Sequence, residues 1–160
     1  MTTRDFDLII YGASSFVGQI MTRYLAEHIG FSGTVKWAIA GRSPSKLNEL
    51  RASLGEVAAN LPIIIADADD VNALAKLCQS TRVIATTVGP YALYGEQMVK
   101  ACAENGTDYC DLCGEAYWIK RMIVKYADAA EQTGARIVSC CGFDSIPVSY
   151  THLRAHETRH

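Results

Sequence analysis

The sequence lacks any apolar run long enough to cross a bilayer, since none approaches the roughly 18 residues that a membrane helix needs. Its first apolar stretch, residues 8–11, is too short for a secretory signal. These absences point to the cytoplasm and to no integral membrane span, with association to a lipid surface left open. An excess of either charge is also missing. Lys and Arg number 15 against 17 Asp and Glu, for a net charge of −2, so the basic footprint of a nucleic-acid-binding protein is absent. Six cysteines in a chain with no signal read as reduced thiols. The pair Cys110 and Cys113 forms a CxxC, but no second pair and no nearby histidine complete the four ligands of a structural zinc site. Packing is the expected role of these thiols. Cys140 and Cys141 sit in an apolar segment and read as core.

What is present is ordinary globular composition, 49% hydrophobic and 20% charged over 160 residues. A chain of that size buries roughly 70% of its unfolded surface, enough for one core. Short apolar runs at residues 7–11, 34–40, 62–66, 82–86, 107–111 and 136–140 read as strands. Helical patterns fall between them at 15–29, 43–54, 71–78, 95–105 and 116–133. In the first of these Phe16, Ile20 and Tyr24 follow helical spacing. Ser43 and Pro44 suit a helix start, and Asn105-Gly106 and Gly134 suit helix ends. Repeated β–α units with near-continuous apolar strands predict an α/β fold with a parallel sheet covered on both faces. The expected architecture is the doubly wound Rossmann type, six strands in the order 3-2-1-4-5-6.

The first strand runs into GASSFVG at residues 12–18, and a helix follows at once. Glycine permits a tight turn and lets backbone approach a diphosphate, while the N–H groups at the helix start favour an anion. Gly12, Ser14, Ser15, Phe16, Val17 and Gly18 are therefore candidate dinucleotide-binding residues. Ser15 takes the place of one of the three glycines of the usual fingerprint; its hydroxyl suits a cap or a phosphate oxygen. The second strand ends AGRS with no acid to hold the ribose of NAD. Arg42, with Ser43 and Lys46 nearby, offers donors suited to the extra phosphate of NADP. Asp67 follows the third strand as either an adenine contact or a helix cap. Val88, Gly89 and Pro90, after the fourth strand, are expected to line the path toward the nicotinamide. A short-chain dehydrogenase shares the glycine loop but needs Tyr-x-x-x-Lys, and no tyrosine here has lysine four residues on.

Five segments then occur in order: YGASSFVG at 11–18, AGR at 40–42, TVGPYALYG at 87–95, YCDLCGE at 109–115 and CGFDSIP at 141–147. On these the chain resembles the saccharopine dehydrogenase-like oxidoreductases, including proteins named trans-acting enoyl reductases. The resemblance covers residues 5–147. It implies an NADP-binding domain over residues 1–147, followed in the family by a substrate and dimerisation domain that is missing here. A small-molecule substrate and a possible homodimer would both depend on that missing domain. The segments around Glu115 and Asp144 would lie near the nicotinamide, their role as acid–base groups or loop anchors left open. The alternative to hydride transfer is a dinucleotide-binding scaffold or sensor without catalysis.

The family pattern stops at Pro147. Residues 148–158 match one reading frame of a transposon-end sequencing adapter, so residues 148–160 are expected to be a non-native, disordered tail. His152, His156 and His160 would align on one helix face, but they fall inside that tail and carry no metal-site reading.

Overall fold

The computed structural model describes residues 4–142. The domain boundary at 147, Asp144 with its motif, and the tail at 148–160 lie outside the described residues. Six strands, β1 (Phe6–Tyr11), β2 (Trp37–Gly41), β3 (Ile63–Ile65), β4 (Thr81–Thr86), β5 (Asp108–Asp111) and β6 (Ile137–Val138), form one sheet ordered β3-β2-β1-β4-β5-β6. Every neighbouring pair is parallel. The doubly wound order expected from the pattern is the one observed.

The helices are α1 (Phe16–His28), α2 (Pro44–Ser53), α3 (Val71–Ser80), α4 (Tyr91–Tyr94), α5 (Glu96–Asn105) and α6 (Ala116–Thr133). Right-handed crossovers from β1 out to β3 put α1 and α2 on one face, and those returning through β4 to β6 put α3, α5 and α6 on the other. Alternation along β1 divides its side chains between the two cores. Ile10 packs with Leu25, Ile39 and Leu47. Ile9 and Tyr11 pack with Leu74, Leu77, Met98 and Trp118.

The structure differs from the sequence pattern in instructive places. The segment after β4 carries a cis Gly89–Pro90 peptide and then the one-turn helix α4, which the sequence pattern did not mark. A 3-10 turn at Glu56–Ala58 interrupts the α2–β3 connection. β6 is shorter than the apolar run 136–140, because Cys140 takes a left-handed conformation (φ 62°) that a strand does not continue through. Cys141 is consequently exposed and Cys140 half-buried, a correction to their reading as core. In α1 the buried residues are Gly18, Thr22 and Leu25, while the periodic stripe of Phe16, Ile20 and Tyr24 faces solvent. Close approach of α1 to the end of β1 requires the glycine side, which turns the stripe outward.

At the opposite end of the sheet Arg4 ties four elements together. Its Nη1 donates to the carbonyls of Cys78 and Thr81 and to Thr107 Oγ1, each at 2.5 Å. Its Nη2 donates to Asn105 O at 2.6 Å and Gly106 O at 3.2 Å. Hydrogen bonds to a charged donor contribute more than neutral ones. Arg4→Ala is expected to lower stability by about 2–3 kcal/mol, read from urea midpoints. Arg82→Ala is expected to lower it by less than about 1 kcal/mol, because that side chain is 73% exposed and 3.6 Å from Asp7. Equal shifts for the two variants would contradict this assignment.

Candidate functional site

β1 ends at Tyr11, where the chain on one side of the sheet leaves through α1 and β2 and on the other through β4. In open α/β sheets such a switch point opens a crevice beyond the carboxyl ends of the strands. The crevice here has a volume of about 310 Å³, within the range of small-ligand sites.

Its floor is the Gly12 turn. Gly12 has φ 84°, and a Cβ there would stand 2.6 Å from Val88 Cγ2 and 2.9 Å from Thr87 Oγ1. Gly18 packs so tightly that its Cβ would overlap the carbonyl oxygen of Gly12 and lie 2.8 Å from Ala13 Cα. Ser15 is the N-cap of α1, accepting from Gly18 N at 3.0 Å. Thr87 donates to Gly12 O at 2.9 Å, so the 2.8 Å contact between the two hydroxyls has Ser15 donating to Thr87 Oγ1. The serine that replaces a fingerprint glycine thus caps the helix and joins the turn to the loop after β4. The first-turn N–H groups of Phe16 and Val17 have no intrahelical acceptor and can meet an anion.

The crevice brings together Gly12, Ser14, Ser15, Arg42, Ser43, Lys46, Asp67, Val88 and Gly89 from the expected set. Gly18 supports it from beneath. Phe16 and Val17 turn their side chains to solvent and Pro90 is exposed, so none of the three lines it by side chain. Tyr11, Asp69, Thr87 and Tyr94 also line it and were not singled out from sequence. Thr87 had a signal in its place before Val88-Gly89; Tyr94 had none, because its position depends on the one-turn helix.

The charges are segregated. Arg42 and Lys46 stand at the end of β2 and form no ion pair among the described residues. Asp67 and Asp69, after the neighbouring strand β3, also line the crevice. Asp67 accepts from Asp69 N at 3.1 Å, and the cap of α3 is Asp70, which accepts from Ala73 N at 2.9 Å. The helix-cap reading of Asp67 therefore passes to Asp70. Burial, then the nearby Asp67 and Asp69 carboxylates, push the Tyr11 phenol well above its ordinary range.

Glu115 lies beyond the fifth strand, at the start of α6. Its Oε1 accepts from Tyr91 N at 2.8 Å and its Oε2 from Ala92 N at 3.0 Å. Both oxygens therefore anchor backbone of the segment after β4. Burial pushes the Cys110 and Cys113 thiols up to about 11, which removes them as thiolate nucleophiles at neutral pH. Among the described residues no cluster of metal-ligating side chains occurs.

The sequence model of the saccharopine dehydrogenase NADP binding domain matches residues 8–138. The chain belongs to that family. Its cofactor is NADP, and the glycine cradle with the unpaired Arg42 and Lys46 fits that dinucleotide. The domain is 46% identical over 145 residues to the trans-acting enoyl reductase of Mycobacterium tuberculosis (strain ATCC 25618 / H37Rv), covering 90% of this chain and 34% of that protein. It is 42% identical over 158 residues to the trans-acting enoyl reductase of Mycobacterium ulcerans (strain Agy99), covering 96% and 37%. The chain thus spans about a third of the length of the curated relatives it matches. Apo saccharopine dehydrogenase (L-Glu forming) from Saccharomyces cerevisiae shares the fold, with a TM-score of 0.63 at 19% identity over 88% of this chain and 28% of that one.

Gly12→Ala adds a Cβ inside the cradle at a backbone angle that L residues avoid. It is expected to weaken NADP⁺ binding more than about tenfold by calorimetry, a loss above about 1.4 kcal/mol. Gly55→Ala is equally strained at φ 85° but meets no atom within 4 Å, and should leave affinity unchanged. Wild-type affinity in Gly12→Ala would contradict the cradle.

Proposed function

We propose that the domain holds NADPH for a reductase acting on an enoyl group, a carbon–carbon double bond conjugated to a carbonyl. The observation that carries this is the pairing of an NADP-type crevice with relatives named enoyl reductases. Bound NADPH supplies a hydride from its nicotinamide ring. The chain's own residues bind and orient. The Gly12 turn and the first turn of α1 seat the diphosphate. Arg42, Ser43 and Lys46 take the 2′-phosphate, which an acid at the end of β2 would repel. Asp67 accepts from the adenine edge. Val88, Gly89 and Pro90 flank the path toward the nicotinamide.

Glu115 is assigned to holding backbone, with each of its oxygens accepting one N–H. The substrate and any dimer contact belong to the two-thirds of the relatives' length that this chain does not span. No described helix is long and apolar enough to cross a membrane. The relatives' names favour a reductase over a non-catalytic sensor.

Calorimetric titration of the chain is expected to show NADP⁺ bound at least about tenfold more tightly than NAD⁺. The expected size follows from a charge-assisted contact to the 2′-phosphate. Arg42→Ala should bring the two ligands to near-equal affinity. Equal affinities in the wild type would contradict the 2′-phosphate site. NADPH absorbance should stay constant when the chain alone meets an enoyl thioester, since binding and not turnover is assigned to it.

A further inference from the structure

The loop at residues 87–90 is held at two ends by different means. At its start, Thr87 N donates to Tyr11 O at 2.9 Å, and the Thr87 hydroxyl bonds Gly12 and Ser15. At its far end, the backbone N–H groups of Tyr91 and Ala92 both point at the Glu115 carboxylate. Between these anchors Val88 and Gly89 line the crevice, and Gly89 and Pro90 are exposed. The helix that follows is one turn long, with Leu93 71% exposed; Tyr91 is its buried side chain, with its ring against Trp118 and its hydroxyl donating to Thr86 O at 3.2 Å.

Glu115 is itself braced. Its N–H donates to Cys113 Sγ at 3.3 Å, and Cys113 N donates to Asp111 Oδ1 at 3.0 Å. Asp111 is buried and also accepts from Tyr109 Oη at 2.7 Å and Cys140 N at 3.0 Å. A braced carboxylate at the carboxyl end of β5 therefore holds the backbone at the far end of the crevice loop, beside the buried Tyr91 side chain.

We propose that Glu115 is a positioning residue for the nicotinamide half of NADP, acting through the loop at residues 87–90. The proposal rests on the placement of the dinucleotide given above. A carboxylate suits the task because each oxygen accepts one N–H. Glutamine keeps one acceptor and sets an amide donor against the other N–H. The adenosine and 2′-phosphate end is held by Arg42, Lys46 and Asp67 on other elements and does not depend on Glu115.

The test compares NADP⁺ with 2′,5′-ADP, which carries the 2′-phosphate but no nicotinamide, on the 160-residue chain. Glu115→Ala is expected to weaken NADP⁺ about tenfold and Glu115→Gln about threefold, with 2′,5′-ADP held within about twofold in both. A merely structural role would weaken the two ligands alike, and that result overturns the proposal. Unchanged NADP⁺ affinity in both variants also overturns it. Failure of the wild type to bind either ligand overturns the cofactor placement and the proposal with it, whereas wild-type binding with unshifted variants overturns the proposal alone.

Discussion

The cofactor crevice depends on one close contact, the approach of α1 at Gly18 to the backbone of Gly12 and Ala13. No side chain fits in that contact. It fixes which side of α1 faces the sheet, so the helix presents its N-terminus over the end of β1 with Ser15 as cap. The turn then places Gly12 against Thr87 and Val88 of the next strand's exit. Dense packing makes such a junction intolerant of even one added carbon. One steric constraint therefore orients the helix dipole, shapes the turn and joins the two halves of the doubly wound sheet. It also explains the outward stripe of Phe16, Ile20 and Tyr24, which leaves an apolar strip on the domain's surface.

Charge acts on the frame that this contact builds. Arg42 and Lys46 sit on the β2 side without acidic partners among the described residues, while Asp67 and Asp69 gather on the β3 side. A dinucleotide carrying a phosphate at one position and an amino group at another meets complementary chemistry at each. In a half-enclosed crevice such charges are less screened than on open surface. On the proposed placement, selectivity between NADP and NAD follows from the missing acid at the end of β2 as much as from Arg42 itself.

Much of this was legible in the sequence because it is local. Apolar runs of strand length separated by helical periods specify the sheet and its order, and Gly12, Gly18 and Arg42 carry their meaning in short motifs. The parts that were not legible are long-range. Glu115 anchors Tyr91 and Ala92, more than twenty positions earlier in the chain. Arg4 reaches carbonyls more than seventy residues away. Such bonds leave no periodicity and no spacing rule. The exposure of Phe16, Ile20 and Tyr24 was hidden for another reason, since helical spacing marks an apolar face without saying whether it is the buried one. Cys141 was misjudged because apolar composition continues past the point where the left-handed Cys140 ends β6.

The measurement that tests the account most directly is a crystal structure of the chain grown with NADP⁺. The account predicts the diphosphate against the first turn of α1 beside Gly12, and the 2′-phosphate between Arg42 and Lys46. Density for the dinucleotide elsewhere, or a 2′-phosphate turned away from Arg42 into solvent, would contradict it.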